Sequence, residues 1–225
     1  MLTNYISCGG MPMDRNKYEV IRLRMERTAE ALRRNNYYAV CADNGEEALE
    51  IIESFLEEEN SVAVGGSMTL FEIGAIELLR SGKYAFFDRY AEGLSKEQVE
   101  DIHRKAFSCD AYLTSTNAVT EDGKLYNVDG RGNRVAAMIY GPKSVIVVAG
   151  CNKIVRDVSE AELRVKEFAA PANAVRLDCG TPCTVTGKCL DCKSDRRICA
   201  DAVVMGHQMT PERVKVILVG EELGY

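Results

Sequence analysis

The 225-residue chain lacks an excess of positive charge, any long apolar run and any recognisable leader. Lys and Arg number 28 against 34 Asp and Glu, a net charge of −6. Phosphate-backbone binding runs on positive charge, so no nucleic-acid partner is expected, although a small anion-binding cleft remains compatible with this balance. No apolar stretch approaches the roughly 20 residues that span a bilayer, which argues against a membrane protein. Met1 to Asp14 shows no basic segment followed by an apolar one, so a cytoplasmic location is expected. The 46% hydrophobic and 28% charged residues are ordinary for a globular chain, and the length predicts one domain over residues 1–225.

Histidine is scarce and cysteine is not. His103 reads as a solvated helix residue, and His207 as a surface or packing residue with metal ligation as the rarer alternative. Of nine cysteines, Cys179, Cys183, Cys189, Cys192 and Cys199 crowd into 21 consecutive positions. Cys8, Cys41, Cys109 and Cys151 are scattered and read as small core hydrophobes, with Cys151 also able to face a site at a strand end. A secreted disulfide scaffold would be shorter and spread its cysteines, so one clustered thiolate site in a reducing compartment is the better reading.

Apolar residues at Tyr18, Ile21, Met25, Ala29 and Leu32 step by three and four, predicting a helix over about 14–35. Tyr37–Ala42, Ser61–Val64, Tyr84–Phe87, Ala111–Thr114, Val145–Ala149, Ala174–Leu177 and Val214–Val219 read as strands. Between them, Asn44, Thr69 with Glu72, Ser95 with Gln98, and Ser159 with Glu162 offer helix caps. Residues 115–134 are rich in Asn, Asp and Gly and read as turns or a hairpin. Strands alternate with helices, and the strand runs are continuously apolar, as when both sheet faces are covered. The expected fold class is therefore α/β: a three-layer, mainly parallel, Rossmann-like sheet with a cysteine-rich insertion at 179–199.

Two segments carry candidate chemistry at the sheet edge. Gly65, Gly66, Ser67 and Thr69 form a small-residue turn between strand and helix, able to present backbone N–H groups and hydroxyls to an anion, or merely to turn the chain. It has neither the Gly-Lys-Ser/Thr ending of a phosphate loop nor G-x-G-x-x-G. The polar hairpin supplies Asn117, Asn127, Asp129 and Asn133 as contact candidates and Glu121 and Asp122 as candidate catalytic carboxylates, with turn formation the rival role. Lys153 could reach the same edge, though a solvated lysine is the default.

Three blocks in order then carry a resemblance: Val64-Gly-Gly-Ser-Met-Thr-Leu-Phe-Glu-Ile-Gly74, Ala118 through Ala137 around Asn127-Val-Asp-Gly-Arg-Gly-Asn-Arg134, and Val145-Ile-Val-Val-Ala-Gly-Cys-Asn-Lys-Ile-Val155. Over about residues 14–178 the chain resembles the lactate-utilisation (LUD) domain family. That resemblance implies a fold similar to ribose-5-phosphate isomerase and the coenzyme A transferases, with a ligand cleft between the glycine turn and the polar hairpin. It places Glu121 or Asp122 nearest to the acids of that wider group. It also implies an accessory role in an iron–sulfur complex oxidising L-lactate to pyruvate, with redox subunits or a second copy as partners. The small subunits of such complexes usually lack a cysteine cluster, and this chain has one. The spacing Cys179-x3-Cys183-x5-Cys189-x2-Cys192-x6-Cys199 points to Cys183, Cys189, Cys192 and Cys199 as ligands of an iron–sulfur cluster (4Fe–4S in form) or of zinc, with Cys179 spare. A disulfide or a reduced core is the alternative. Competing functions are a transferase or isomerase acting on a phosphorylated or coenzyme A-linked molecule, and a non-catalytic ligand sensor.

Overall fold

The structure, a computed structural model, describes the backbone of residues 5–8 and 11–225 and the side chains from Asp14 onward. The side chain of Cys8 and part of the stretch read for a leader lie outside the described residues. A hairpin, β1 (Tyr5–Cys8) and β2 (Met11–Asp14), leads into helix α1 (Arg15–Arg34), capped by the Asp14 carboxylate. There follow β3 (Tyr38–Ala42), α2 (Gly45–Ser54), β4 (Ser61–Val64), α3 (Met68–Glu72), α4 (Ala75–Leu79), β5 (Ala85–Phe87), α5 (Lys96–Lys105) and β6 (Ala111–Ser115). The middle of the chain supplies β7 (Ala118–Thr120), β8 (Leu125–Asp129), α6 (Asn133–Tyr140), β9 (Ser144–Gly150) and β10 (Ile154–Val155). The last third gives α7 (Val158–Arg164), α8 (Ala170–Arg176), the single turn α9 (Cys183–Thr186), β11 (Asp201–Met205) and β12 (Val214–Val219).

Six strands form the main sheet in the order β3-β12-β9-β6-β4-β5, every neighbouring pair parallel. The apolar runs are continuous because alternate residues serve opposite faces. Val145 and Val147 of β9 join Met25 and Leu32 of α1 and Met138 of α6 on one side. Ile146 and Val148 join Ile52 of α2, Leu70 of α3 and Ile76 of α4 on the other. The result is the expected three-layer, Rossmann-like α/β architecture. Among the described residues no helix is long and apolar enough to cross a membrane.

A second sheet, β10-β7-β8-β11, rises from the polar hairpin, with β11 antiparallel to β8. Local expectation departs from the structure at four points. Ala174–Leu177 is not a strand: Val158 to Arg176 is one continuous helical run with a π turn at Val165–Ala169. A four-residue apolar stretch carries no period that separates strand from helix. The caps are Ser67, whose Oγ accepts from the Leu70 N–H, and Asp157, whose carboxylate accepts from the Glu160 N–H, rather than Thr69 and Ser159. The helix expected after the Thr69 and Glu72 cap does not run on unbroken: it is interrupted at Gly74, where φ is +77°. The Ser95–Gln98 capping box forms as expected.

Candidate functional site

In a parallel sheet all carboxyl ends open on one edge, where ligands bind in open α/β folds. Here a cleft of about 450 Å³ lies at that edge, within the usual range for small-molecule sites. Gly66 and Ser67 enter after β4, Arg89 after β5, Ser115 to Asn117 after β6 and Lys153 after β9. The far wall is Asp129 and Gly130 of the hairpin, Asn133 at the start of α6, and Asn173 and Arg176 of α8. The glycine turn and the polar hairpin thus face one shared cleft.

The cleft reverses the sign of the whole chain. Arg89, Arg131, Arg134, Lys153 and Arg176 line it, against one acidic side chain, Asp129. That carboxylate is already engaged: Arg134 Nη2 lies 2.7 Å from Asp129 Oδ1, with both side chains nearly buried. The same guanidinium donates to Ser115 O at 2.9 Å, Asn127 Oδ1 at 2.6 Å and Asn117 Oδ1 at 3.0 Å. Arg134 therefore ties the end of β6 to the hairpin, and Asp129, Asn127 and Asn117 serve it as acceptors. Its five fixed donors suit this fan of acceptors in a way a lysine could not reproduce. Sequence reading passed over Arg134; the only signal was its place at the end of the Asp-Gly-Arg-Gly-Asn-Arg block. Two buried nitrogens in the lining, Arg89 Nε and His103 Nε2, have no hydrogen-bond partner among the described residues. His103 is half-buried here rather than solvated, and burial and the nearby Arg89 hold its pKa below the ordinary value. His207 is exposed and contacts Asn36, apart from the cysteines.

Lys153 is the largest departure from expectation. It is 2% exposed, and its Nζ donates to Thr69 Oγ1 and Ser115 Oγ, both at 2.9 Å. Burial, followed by the nearby Arg164 and Arg134 charges, pushes its pKa down to about 7.

Other candidates stand behind the cleft or away from it. Thr69 is fully buried as a partner of Lys153, and Asn127 is fully buried under Arg134. Gly65 does not open the turn to an anion. A Cβ there would fall 2.5 Å from Thr114 Oγ1 and 2.9 Å from the Tyr112 hydroxyl, so the missing side chain admits β6, not a ligand. Gly65→Ala is accordingly expected to cost about 1–3 kcal/mol by overpacking, whereas Gly66→Ala, whose nearest neighbour would be Arg89 at 3.9 Å, is expected to fold normally. Thermal unfolding of the two variants checks the contrast. Helix α3 has only five residues, so its dipole adds little to the turn. Glu121 and Asp122, the candidate acids, stand away from the cleft. Their turn lies on α1: Glu121 pairs with Arg24 at 2.7 Å, Asp122 binds Thr120 and Lys124, and Gly123 packs on the Ala31 backbone. Neither carboxylate lines the cleft.

Cys183, Cys189, Cys192 and Cys199, the four chosen from spacing, line one small pocket beside α8. Cys179 is buried outside that lining. The Cys189 sulfur accepts the Asp191 N–H at 3.3 Å, and Thr181 Oγ1 lies 3.2 Å from the Cys183 sulfur. Arg197 donates to the carbonyls of Cys192 and Cys199, while its buried Nε has no partner among the described residues. No disulfide links the described cysteines, and no three described His, Cys, Asp or Glu side chains stand close enough to grip an ion as they are. Cys41 and Cys109 pack in or against the core, and burial pushes both thiols up to about 11. Cys151 packs against the same core cluster. Ile198 lines both the cysteine pocket and the cleft, and a Cβ on Gly130 would sit 3.1 Å from its Cα. The two sites are therefore one residue apart.

Comparison with known proteins agrees with the motif reading. The chain is similar to a solved DUF162 family protein from Deinococcus radiodurans, with 17% identity, a TM-score of 0.49, and coverage of 90% of this chain and 98% of that one. No curated relative matches. The family model described as LUD domain matches residues 25–219, and the chain therefore belongs to the LUD domain family, which is associated with lactate utilisation.

Proposed function

We propose that this LUD domain protein is an accessory subunit of an iron–sulfur-dependent L-lactate, or related 2-hydroxy acid, oxidation system. The cleft takes the small carboxylate, and Cys183, Cys189, Cys192 and Cys199 hold the metal. One observation carries the reading: the cation-lined cleft and the four-cysteine pocket share Ile198 as a common wall. The donor set suits the group, since four thiolates are the ligands of iron–sulfur clusters and of many structural zinc sites. The buried, unpartnered Arg197 Nε and the N–H directed at the Cys189 sulfur suit an anionic thiolate centre. When bound, an iron–sulfur cluster supplies single-electron transfer. The chain itself contributes the rest: Arg89 and Arg176 attract the carboxylate, Arg134 holds the cleft walls together, and Ile198 keeps water from the thiolates.

Anaerobic purification with metal analysis and visible absorption tests this. The expected protein is brown and carries iron, and Cys192→Ser loses both colour and iron. Colourless protein with stoichiometric zinc would remove the redox role and leave a structural staple. A second reading, a transferase or isomerase for a phosphorylated or coenzyme A-linked molecule, is favoured by the cleft itself. Arg89, Arg131 and Arg176 around about 450 Å³, none of them paired with the cleft's acidic side chain, exceed what one small monocarboxylate needs. Calorimetric titration with L-lactate and with inorganic phosphate separates the two.

A further inference from the structure

The cleft contains a buried amine without a counter-ion. No carboxylate pairs with Lys153 among the described residues; Glu72, the acidic group that acts on it electrostatically, accepts the Gly224 N–H instead. The charged groups facing it from the packed elements are Arg134 on α6, Arg164 on α7 and Glu72 on α3. A lysine placed so is a poor ion-pair partner and a good neutral amine. Its hydrogen bonds agree with that state. A neutral amine has two N–H bonds, and both find acceptors, in Thr69 Oγ1 and Ser115 Oγ at 2.9 Å. The two hydroxyls turn their own protons toward Leu223 O and Thr116 O. The nitrogen lone pair is what remains, and Lys153 lines the cleft.

We propose that Lys153 is a nucleophile that captures the carbonyl of a small 2-oxo acid in the cleft as an imine. The inference rests on the reading that the cleft takes a 2-hydroxy or 2-oxo acid, and it adds covalent chemistry to it. Nζ attacks the carbonyl carbon, the C–N bond forms, and the carbonyl π pair moves to oxygen. That oxygen takes up the proton lost from nitrogen, directly or through the Ser115 hydroxyl. A second proton, taken from solvent, releases it as water while the nitrogen lone pair closes the C=N bond, and the iminium returns its remaining N–H proton to solvent, so amine plus ketone gives imine plus water and nothing is oxidised or reduced. Amines desolvated beside other cations are activated for this reaction because the neutral form persists at neutral pH. A fall from 10.5 to about 7 raises the neutral fraction at pH 7 on the order of a thousandfold. The carboxylate next to the reacting carbonyl is what the surrounding arginines select.

The test uses the full chain, pyruvate as probe and borohydride as trap, followed by peptide mass mapping, with pyruvate binding measured in parallel by calorimetry. The expected result is one reduced adduct, on the peptide carrying Lys153, and its loss in Lys153→Arg, which keeps a cation but cannot form the imine. If that variant does not fold, the peptide map of the native chain decides alone. Pyruvate binding with no adduct, or with adducts only on exposed lysines such as Lys96, overturns the nucleophile and leaves the cleft reading intact. Absence of both binding and adduct overturns the two together.

Discussion

Arg134→Met is expected to cost the fold about 3–5 kcal/mol, read as a lower urea midpoint at unchanged slope. The substitution keeps much of the apolar stem and removes the guanidinium that binds Ser115 O, Asn127, Asn117 and Asp129. What makes it severe is the partner left behind. The Asp129 carboxylate is 6% exposed and would keep only the Val135 N–H, at 3.0 Å, of its present donors. Breaking a buried pair from one side strands a charge in a medium that solvates it poorly, whereas replacing both partners by apolar groups does not. The double variant Arg134→Met with Asp129→Leu should therefore recover a large part of the loss. A single variant within about 0.5 kcal/mol of the native chain would show that the pair does not organise the cleft.

Lys153→Met is expected to change the pH dependence of stability rather than simply lower it. The folded-state pKa, about 7, lies below the ordinary lysine value of 10.5. Between those values the unfolded chain binds the proton that the folded chain has released, so native stability rises with pH across that window. The slope approaches about 1.4 kcal/mol per pH unit at most. Below pH 7 both states are protonated, and the burial cost is present in full. Methionine removes the charge and keeps most of the volume, so the variant should be more stable than the native chain near pH 6, with the gap closing toward pH 10. Thermal or urea unfolding at several pH values measures it. Parallel curves for the two proteins would mean that the Lys153 amine is solvated in the folded state.

Much of the architecture was legible locally. The period of Tyr18, Ile21, Met25, Ala29 and Leu32 was enough for α1, because a surface helix must turn one stripe inward. The continuous Val145–Ala149 run was enough for a central strand, because a covered sheet buries both faces. Cys183, Cys189, Cys192 and Cys199 line one pocket because short loops keep them in one segment, although no three of them stand close enough to hold an ion as they are. The site was read less well. Asn117, Asp129 and Asn133 do line the cleft, but Asn117 and Asp129 hold Arg134, and Asn127 does so from behind the wall. Glu121 and Asp122 share a hairpin with them yet lie on α1, because three residues of strand β7 carry the chain away from the sheet edge.

The order of turn types and hydrophobic periods, which are short-range properties, was sufficient to specify a parallel α/β sheet with helices on both faces. Which polar groups at that edge are buried was left to folding. Lys153 meets Thr69 and Ser115 across separations of 84 and 38 residues, and Ile198 reaches the cleft wall from the far end of the cysteine segment. Burial and charge environment are sums over such distant neighbours. A lysine that reads as solvated by its own residue type becomes a desolvated amine once three strand ends close around it.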